Sequence, residues 1–307
     1  MPHRIDNELP DIGRINGPLV GVFLKELIRR GIIEIRAQRD QFEKTHKPSK
    51  HRPNDWVTTA DLWVQAFYVR LILEHLPGVG IIAEELGVNI PCTIPGLNLV
   101  ITLDPIDGTG AYVRGQSDGV ATQFALVDYT VGRGVVLAAF VGNVNTGEIF
   151  GYRPGSDNVH RIFELRRSVH LNELPRRVKL GSSNAVLRDH PALYGPRVQL
   201  LVAPGGPLHG ITVDSGSMTL TMAKLWSGEV ALVVIQPYTE TPWDSSPLIG
   251  ISEKLGFVSY RVTRGGRLVR HLVPVRPDCF WRSREIIWVH ACNRLQLLEW
   301  ARLTPVA

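Results

Sequence analysis

Leu99-Val100-Ile101-Thr102-Leu103-Asp104-Pro105-Ile106-Asp107-Gly108-Thr109 is the stretch on which the reading of this chain turns. An apolar run with β character delivers two acids to its end, with a proline between them and Gly-Thr behind them. On a continuing strand, residues three apart point to opposite faces. Pro105 fixes its own φ and Gly108 tolerates dihedrals that other residues avoid, so the chain can turn there and let both carboxylates converge. Converging carboxylates suit Mg2+, a hard ion that takes carboxylate, carbonyl and water oxygens in an octahedron and commonly shares them with a substrate phosphate. Taken alone, Asp-Pro-x-Asp-Gly is equally a turn sequence, because Asp, Pro and Gly each favour turns.

Other acids shift that balance. Glu84 and Glu85 follow the apolar run Val79–Ala83, again at a strand end, where a carboxylate could share a metal with Asp104 or simply form a solvated turn. Asp61, in Val57-Thr58-Thr59-Ala60-Asp61, stands in the first turn of a helix, and Thr58-x-x-Asp61 fits a capping box. Asp244, in Pro242-Trp243-Asp244-Ser245-Ser246-Pro247, opens another helix and could cap it, with Trp243 as a packing anchor. Each acid has a structural explanation by itself. Their joint arrangement does not, and it points to a metal site.

Working outward, the 307 residues suggest two domains or one large one, and 44 % hydrophobic with 21 % charged residues is the composition of an ordinary soluble globular protein. A formal charge of +5 favours anionic partners, but no basic motif interleaved with aromatics appears, so a phosphorylated metabolite is expected rather than nucleic acid. Cys92, Cys279 and Cys292 are odd in number and lack CxxC spacing, which argues against a disulfide framework and a zinc site. The N-terminus has no signal-peptide h-region, and the longest apolar run, Val135 to Val141, falls far short of the ~20 residues that span a bilayer, so a cytoplasmic protein is expected.

Helical spacing over 18–43 predicts a helix that can break at Gly31, followed by a basic, proline-bounded linker, Lys44 to Pro53, and a second helix from Thr58 to Leu76. Strands are expected at Val79–Ala83 and Leu97–Leu103, then a meander of Val120–Asp128, Arg133–Val141 and Glu148–Arg153. Further on, Val178–Ser182, Val198–Val202 and Val230–Ile235 read as strands, 184–194, 217–227 and 244–256 as helices, and 286–302 as a strand running into a helix. The alternation predicts a layered α/β protein. A boundary near 175 would separate an N-terminal α+β domain, 1–175, carrying most acids, from a C-terminal α/β domain, 176–307, carrying Asp244.

With these residues collected, the chain resembles the inositol monophosphatase superfamily of Mg2+-dependent, lithium-sensitive phosphatases. The resemblance covers roughly residues 50 to 256, through Val57-Thr58-Thr59-Ala60-Asp61, Ile82-Ala83-Glu84-Glu85, the Asp104–Thr109 signature, Gly216-Ser217 and Trp243-Asp244. It implies an αβαβα layered sandwich, two or three Mg2+ ions and often a homodimer. It also implies that Glu84, Asp104 and the Ile106 carbonyl hold a first Mg2+, and that Asp104, Asp107 and Asp244 hold a second. Glu84 would also touch a third, weaker metal or its water. Asp61 would pair with Thr109 to orient a water. Gly108 and Thr109, with Gly216 and Ser217, would face the phosphate, and Lys50 would lie on a mobile loop over the site.

The implied activity is hydrolysis of a small inositol, cyclitol or sugar phosphate by water activated at metal. Departures bear on the substrate. Gly110-Ala111-Tyr112 replaces the common continuation of the Asp-Gly-Thr element, Ser245-Ser246-Pro247 follows the Trp-Asp, and Gln236 to Pro242 is longer and proline-rich where inositol-type members often carry a hydroxyl-binding acid. Val213-Asp214-Ser215 is closer to the branch acting on 3′-phosphoadenosine 5′-phosphate. A nucleotide phosphatase, a fructose-1,6-bisphosphatase-like enzyme and a degenerate binding protein are the competing readings. The arginines at 261, 264, 267 and 270 are expected to decorate a hairpin around Gly265-Gly266.

Overall fold

The computed structural model describes residues 7–13, 15–47, 56–130, 133–164, 167–214 and 216–306. Leu99–Asp107 is a strand, buried at every position but its last. It lies sixth in an eight-stranded sheet ordered Ser168–His170, His160–Ile162, Ile149–Tyr152, Val135–Asn143, Ala121–Asp128, Leu99–Asp107, Gly80–Ala83, Asn89–Ile90. Gly80–Ala83 runs parallel to Leu99–Asp107 with Ala83 opposite Leu103, so Glu84 leaves its strand beside Asp104. The remaining neighbours in this sheet are antiparallel.

The acids converge by a different device from the expected turn. The strand continues through Asp107, and its register against Ala121–Asp128 shifts between Asp104, opposite Gln123, and Asp107, opposite Ala121. Three steps on one strand against two on the other is a β-bulge, which restores Asp104 and Asp107 to the same face. Pro105 sits within it, where a missing N–H does least harm to the ladder.

Five layers follow from which face of each element is apolar. Gly17–Ala37 and Thr59–His75 cover one face of the first sheet, packing Leu24, Ile28 and Val64 against Ile101, Leu103 and Phe124. Met218–Trp226 and Pro242–Lys254 lie between the sheets, with Met222 and Ile249 among Ala125, Val141, Val233 and Trp288. The second sheet is ordered Gly210–Val213, Asn184–Leu187, Leu232–Ile235, Ile286–His290, Phe257–Val262, Leu268–His271. Its outer face carries Leu187, Val234 and Ile287 against Val198 and Leu201 of Pro196–Val202 and Leu297 of Arg294–Leu303. Alternate residues, such as Val233 and Val234, therefore serve opposite layers. The arrangement is an αβαβα sandwich. Among the described residues, no helix is long and apolar enough to cross a membrane.

Several expected elements differ. The first helix ends at Ala37 and does not break at Gly31. The linker opens with a strand, Lys44–His46, paired antiparallel with Trp56–Thr58. Val178–Ser182 is not a strand but ends in a short 3-10 turn, Leu180–Ser182, and the strand lies one step on at Asn184–Leu187, where a helix was expected. Val198–Val202 belongs to a helix instead of a strand. In the last two cases a short stretch with three or four apolar residues fits either element, and only the layer it joins decides. The basic segment does form the expected hairpin, with Val262 opposite Leu268.

Gly31 serves packing instead of a break. A Cβ there would lie 1.6 Å from the Tyr68 hydroxyl oxygen, so the glycine admits the Tyr68 ring between the two helices. That hydroxyl sits 2.9 Å from Thr122 Oγ1. Gly31→Ala is expected to destabilise the protein by about 1–3 kcal/mol through overpacking, despite its better helix propensity, as read by urea denaturation.

Candidate metal centre

Asp104, Asp107 and Asp244 each present a carboxylate oxygen, and these lie within 4.8 Å of one another. The bulge supplies the first two. The third comes from the helical layer packed on the same face of the sheet, on the first turn of Pro242–Lys254. Thr241 precedes this helix and Pro242 stands at its first position, where its missing N–H costs nothing. The Thr241 hydroxyl donates to Asp244 Oδ2 at 2.8 Å, and Gln123 Nε2 donates to Oδ1 at 3.2 Å.

Asp107 joins the layers directly. It accepts from the Ser217 hydroxyl at 2.6 Å, the Thr219 hydroxyl at 2.7 Å, and the backbone N–H groups of Met218 and Thr219 at 3.3 and 3.1 Å. A carboxylate at the start of Met218–Trp226 is favoured by the orphan N–H groups and the helix dipole. Gly108 is needed here on steric grounds: its φ is +90°, and a Cβ would lie 2.2 Å from the Gly119 carbonyl oxygen. Gly216, at φ +146°, would bring a Cβ to 2.9 Å from Gly119.

Asp61 is completely buried. Its carboxylate accepts from the Thr58 backbone at 2.7 Å and the Thr58 hydroxyl at 2.5 Å, so the capping box is present. The other oxygen accepts from the Thr109 hydroxyl at 3.3 Å, and the same hydroxyl lies 3.0 Å from the Ile106 carbonyl oxygen. Structural and site contacts thus coexist on one side chain.

Glu84 stands close enough to Asp104 for its charge to raise that carboxyl's proton affinity. The Glu84-Glu85 pair is gripped by Gln65, whose amide takes the Glu85 N–H at 2.8 Å and gives to the Glu85 carbonyl at 2.9 Å. Lys47 Nζ reaches both glutamates at 2.7 Å. Lys50, expected over the site, lies outside the described residues, as does Ser215. Sequence reasoning passed over Lys47, Gln65 and Gln123. Lys47 carried no spacing signal, whereas Thr122-Gln123 inside the apolar run Val120–Asp128 was a visible polar interruption.

So many buried acids push proton affinity up. Burial, then the charges of Glu84, Asp244 and Asp107, hold Asp104 well above the usual carboxylate range. Burial raises Asp61 to about 6, against the pull of the Thr58 hydrogen bonds. Glu85 is raised to about 7 by burial and by Glu84, with Lys47 opposing. Burial alone would lower the Lys47 ammonium, but the two glutamates outweigh it and hold it well above the usual lysine range.

The donor set fits a hard divalent cation. Asp104 is 2 % exposed, yet its Oδ1 has no hydrogen-bond partner. A buried carboxylate oxygen left unsatisfied is costly, and a cation between three aspartates removes the cost. All the candidate ligands are oxygens, with no thiolate or imidazole among them, which selects Mg2+-like ions over zinc or copper.

The sequence pattern of the inositol monophosphatase family matches residues 20–285. The chain belongs to that family. Membership makes it a metal-dependent phosphoric monoester hydrolase. A comparison of the sequence with curated proteins finds no match. Among solved structures, the Thermotoga maritima IMPase is similar at 18 % identity and a TM-score of 0.65, with 92 % of this chain and 96 % of that one covered. The extragenic suppressor protein SuhB from Bartonella henselae gives 18 % and 0.67, with 92 % and 97 % covered. An IMPase/NADP phosphatase complexed with Mg2+ and phosphate gives 16 % and 0.64, with 91 % and 93 % covered. At these identities the likeness establishes the inositol monophosphatase fold alone.

Proposed function

We propose that this family member is a Mg2+-dependent phosphatase of a small phosphate monoester in the inositol, cyclitol or sugar class. The observation that carries the reading is the convergence of Asp104, Asp107 and Asp244 around an unsatisfied, buried Asp104 oxygen. Glu84, Asp104 and the Ile106 carbonyl would hold one ion, and Asp104, Asp107 and Asp244 a second. Bound at this site, Mg2+ supplies positive charge for the phosphoryl oxygens and an acidified water as nucleophile.

The chain's own groups do the rest. With its proton turned to Asp61, 3.3 Å away, the Thr109 hydroxyl would keep its lone pairs free to orient a water, and Asp61 would hold the proton released. Gly108 and Thr109 stand at the start of Thr109–Val113, and their N–H groups would be offered to a phosphate oxygen. Gly216 and Ser217 wall the same side, with the Ser217 hydroxyl committed to Asp107.

The geometry of Glu240 bears on the substrate. Glu240 is buried and accepts from Arg282 Nε at 2.6 Å, Tyr238 at 2.7 Å and Ser245 at 2.5 Å, so its carboxylate is directed to partners within the protein. Recognition through an acid in this segment, the inositol-type arrangement, is therefore disfavoured. Nucleotide and bisphosphate substrates remain the second reading, and one neighbour is an IMPase/NADP phosphatase. A panel of inositol 1-phosphate, fructose 1,6-bisphosphate, 3′-phosphoadenosine 5′-phosphate and NADP, assayed for phosphate release with and without Mg2+, separates them. Release from at least one substrate only with Mg2+ is the expected result. Equal release in EDTA, or none from any of the four at millimolar substrate, counts against the proposal. Lithium sensitivity and a homodimer belong to the same reading, and are read from LiCl titration of that assay and from light scattering.

A further inference from the structure

The metal reading accounts for the carboxylates but not for a neutral side chain set among them. Gln123 lies on the strand Ala121–Asp128 and pairs with Asp104 across the ladder, so the two side chains stand next to each other on one face. It is completely buried. Its Nε2 donates to Asp244 Oδ1 at 3.2 Å, while its Oε1 has no partner. A carboxylate can only accept, so the amide must turn its NH2 group to Asp244, and the carbonyl oxygen is thereby directed elsewhere. On packing grounds the residue is unfavourable. A buried amide with half its capacity unmet costs more than a methionine or leucine of similar volume, and such groups call for an explanation.

We propose that Gln123 is a positioning residue of the metal centre. Its N–H fixes Asp244 at the spacing from Asp104 that a shared cation needs, and its unpaired carbonyl is a hard acceptor available to the hydrated cation. The inference rests on the metal-dependent reading above. Asp244 is reached from two elements at once, by Thr241 of its own helix cap and by Gln123 of the first sheet. A neutral amide performs this task where a glutamate would add one more negative charge, and where a serine or threonine on the same strand would be too short to bridge to the helix.

Gln123→Met keeps the length and removes both polar functions. In calorimetric titration with Mg2+ alone, its Kd is expected to rise about 10–100-fold over wild type, the usual range for groups that orient metal ligands. In EDTA its Tm is expected to equal or exceed that of wild type, because an unsatisfied buried carbonyl is gone. A merely structural glutamine gives the opposite pattern, a lower Tm in EDTA with Mg2+ affinity retained. Gln123→Asn, too short to reach Asp244, is the second variant and is expected to lose affinity similarly. A Kd within twofold of wild type in both variants, or a loss of affinity that follows a loss of metal-free Tm, overturns the proposal. A wild-type protein that takes up neither Mg2+ nor Mn2+ overturns the metal reading itself, and this inference with it.

Discussion

Asp104→Asn is expected to reduce Mg2+-dependent phosphate release by about 10³-fold or more and, at the same time, to raise the Tm of the metal-free protein. The first effect follows from position. Asp104 is the one carboxylate assigned to both ions, and a factor of 10³ corresponds to about 4 kcal/mol of transition-state stabilisation, within what a metal clamp supplies. The second follows from the orphaned Oδ1 and from burial at 2 % exposure among Glu84, Asp107 and Asp244. An amide of the same shape is neutral at every pH, so it removes the cost of either holding a proton on this carboxyl or burying its charge beside three other acids. Loss of activity through misfolding would instead lower the Tm. Thermal melts in EDTA alongside phosphate release therefore separate the two, and an unchanged rate would sink the assignment of Asp104 as a ligand.

The site was legible where chemistry forces sequence order, and illegible where partners come from afar. Paired acids at the ends of Gly80–Ala83 and Leu99–Asp107 could be read because a parallel register brings strand ends together. What sequence reasoning supplied for Asp104 and Asp107 was a turn, whereas the fold uses a bulge, which keeps the strand paired and needs only one extra residue. Thr58-x-x-Asp61 reads equally as a cap and as a functional acid. Both contacts exist, because the two carboxylate oxygens face different partners. The 3.6 periodicity of Gly17–Ala37 is visible, but the reason for a glycine at 31 is Tyr68, which lies on another helix. Asn184–Leu187 and Pro196–Val202 were exchanged in type for a related reason. Segments of four to seven residues span too few turns or alternations for their period to be told, so the type is open until the neighbouring layer is known. Lys47 belongs to the same class: nothing local marks a lysine in a basic linker as the one that meets Glu84 and Glu85.

Mg2+ is expected to stabilise the protein more strongly at pH 8 than at pH 5.5, and to release protons on binding. Asp104, Asp61 and Glu85 all have proton affinities raised in the folded, metal-free state. A group whose folded pKa exceeds its unfolded value adds stability below the unfolded pKa, and that contribution is lost as pH rises through the folded one. For Asp61 the loss runs from 3.8 to about 6, and for Glu85 from 4.5 to about 7, so the metal-free Tm should decline from about pH 5 towards pH 8. Ligand carboxylates must be deprotonated to bind, so protons compete with Mg2+ at the acid end and cease to do so at the alkaline end. At a hundredfold excess over Kd, binding contributes about 2.7 kcal/mol, or several degrees of Tm for a chain of this size. Melts across this pH range with EDTA or Mg2+, and calorimetry in buffers of different ionisation enthalpy, measure both quantities. A Mg2+ effect on Tm independent of pH, with no proton release, would show that the buried acids are already ionised without metal, and that the cluster does not hold its protons in place of a cation.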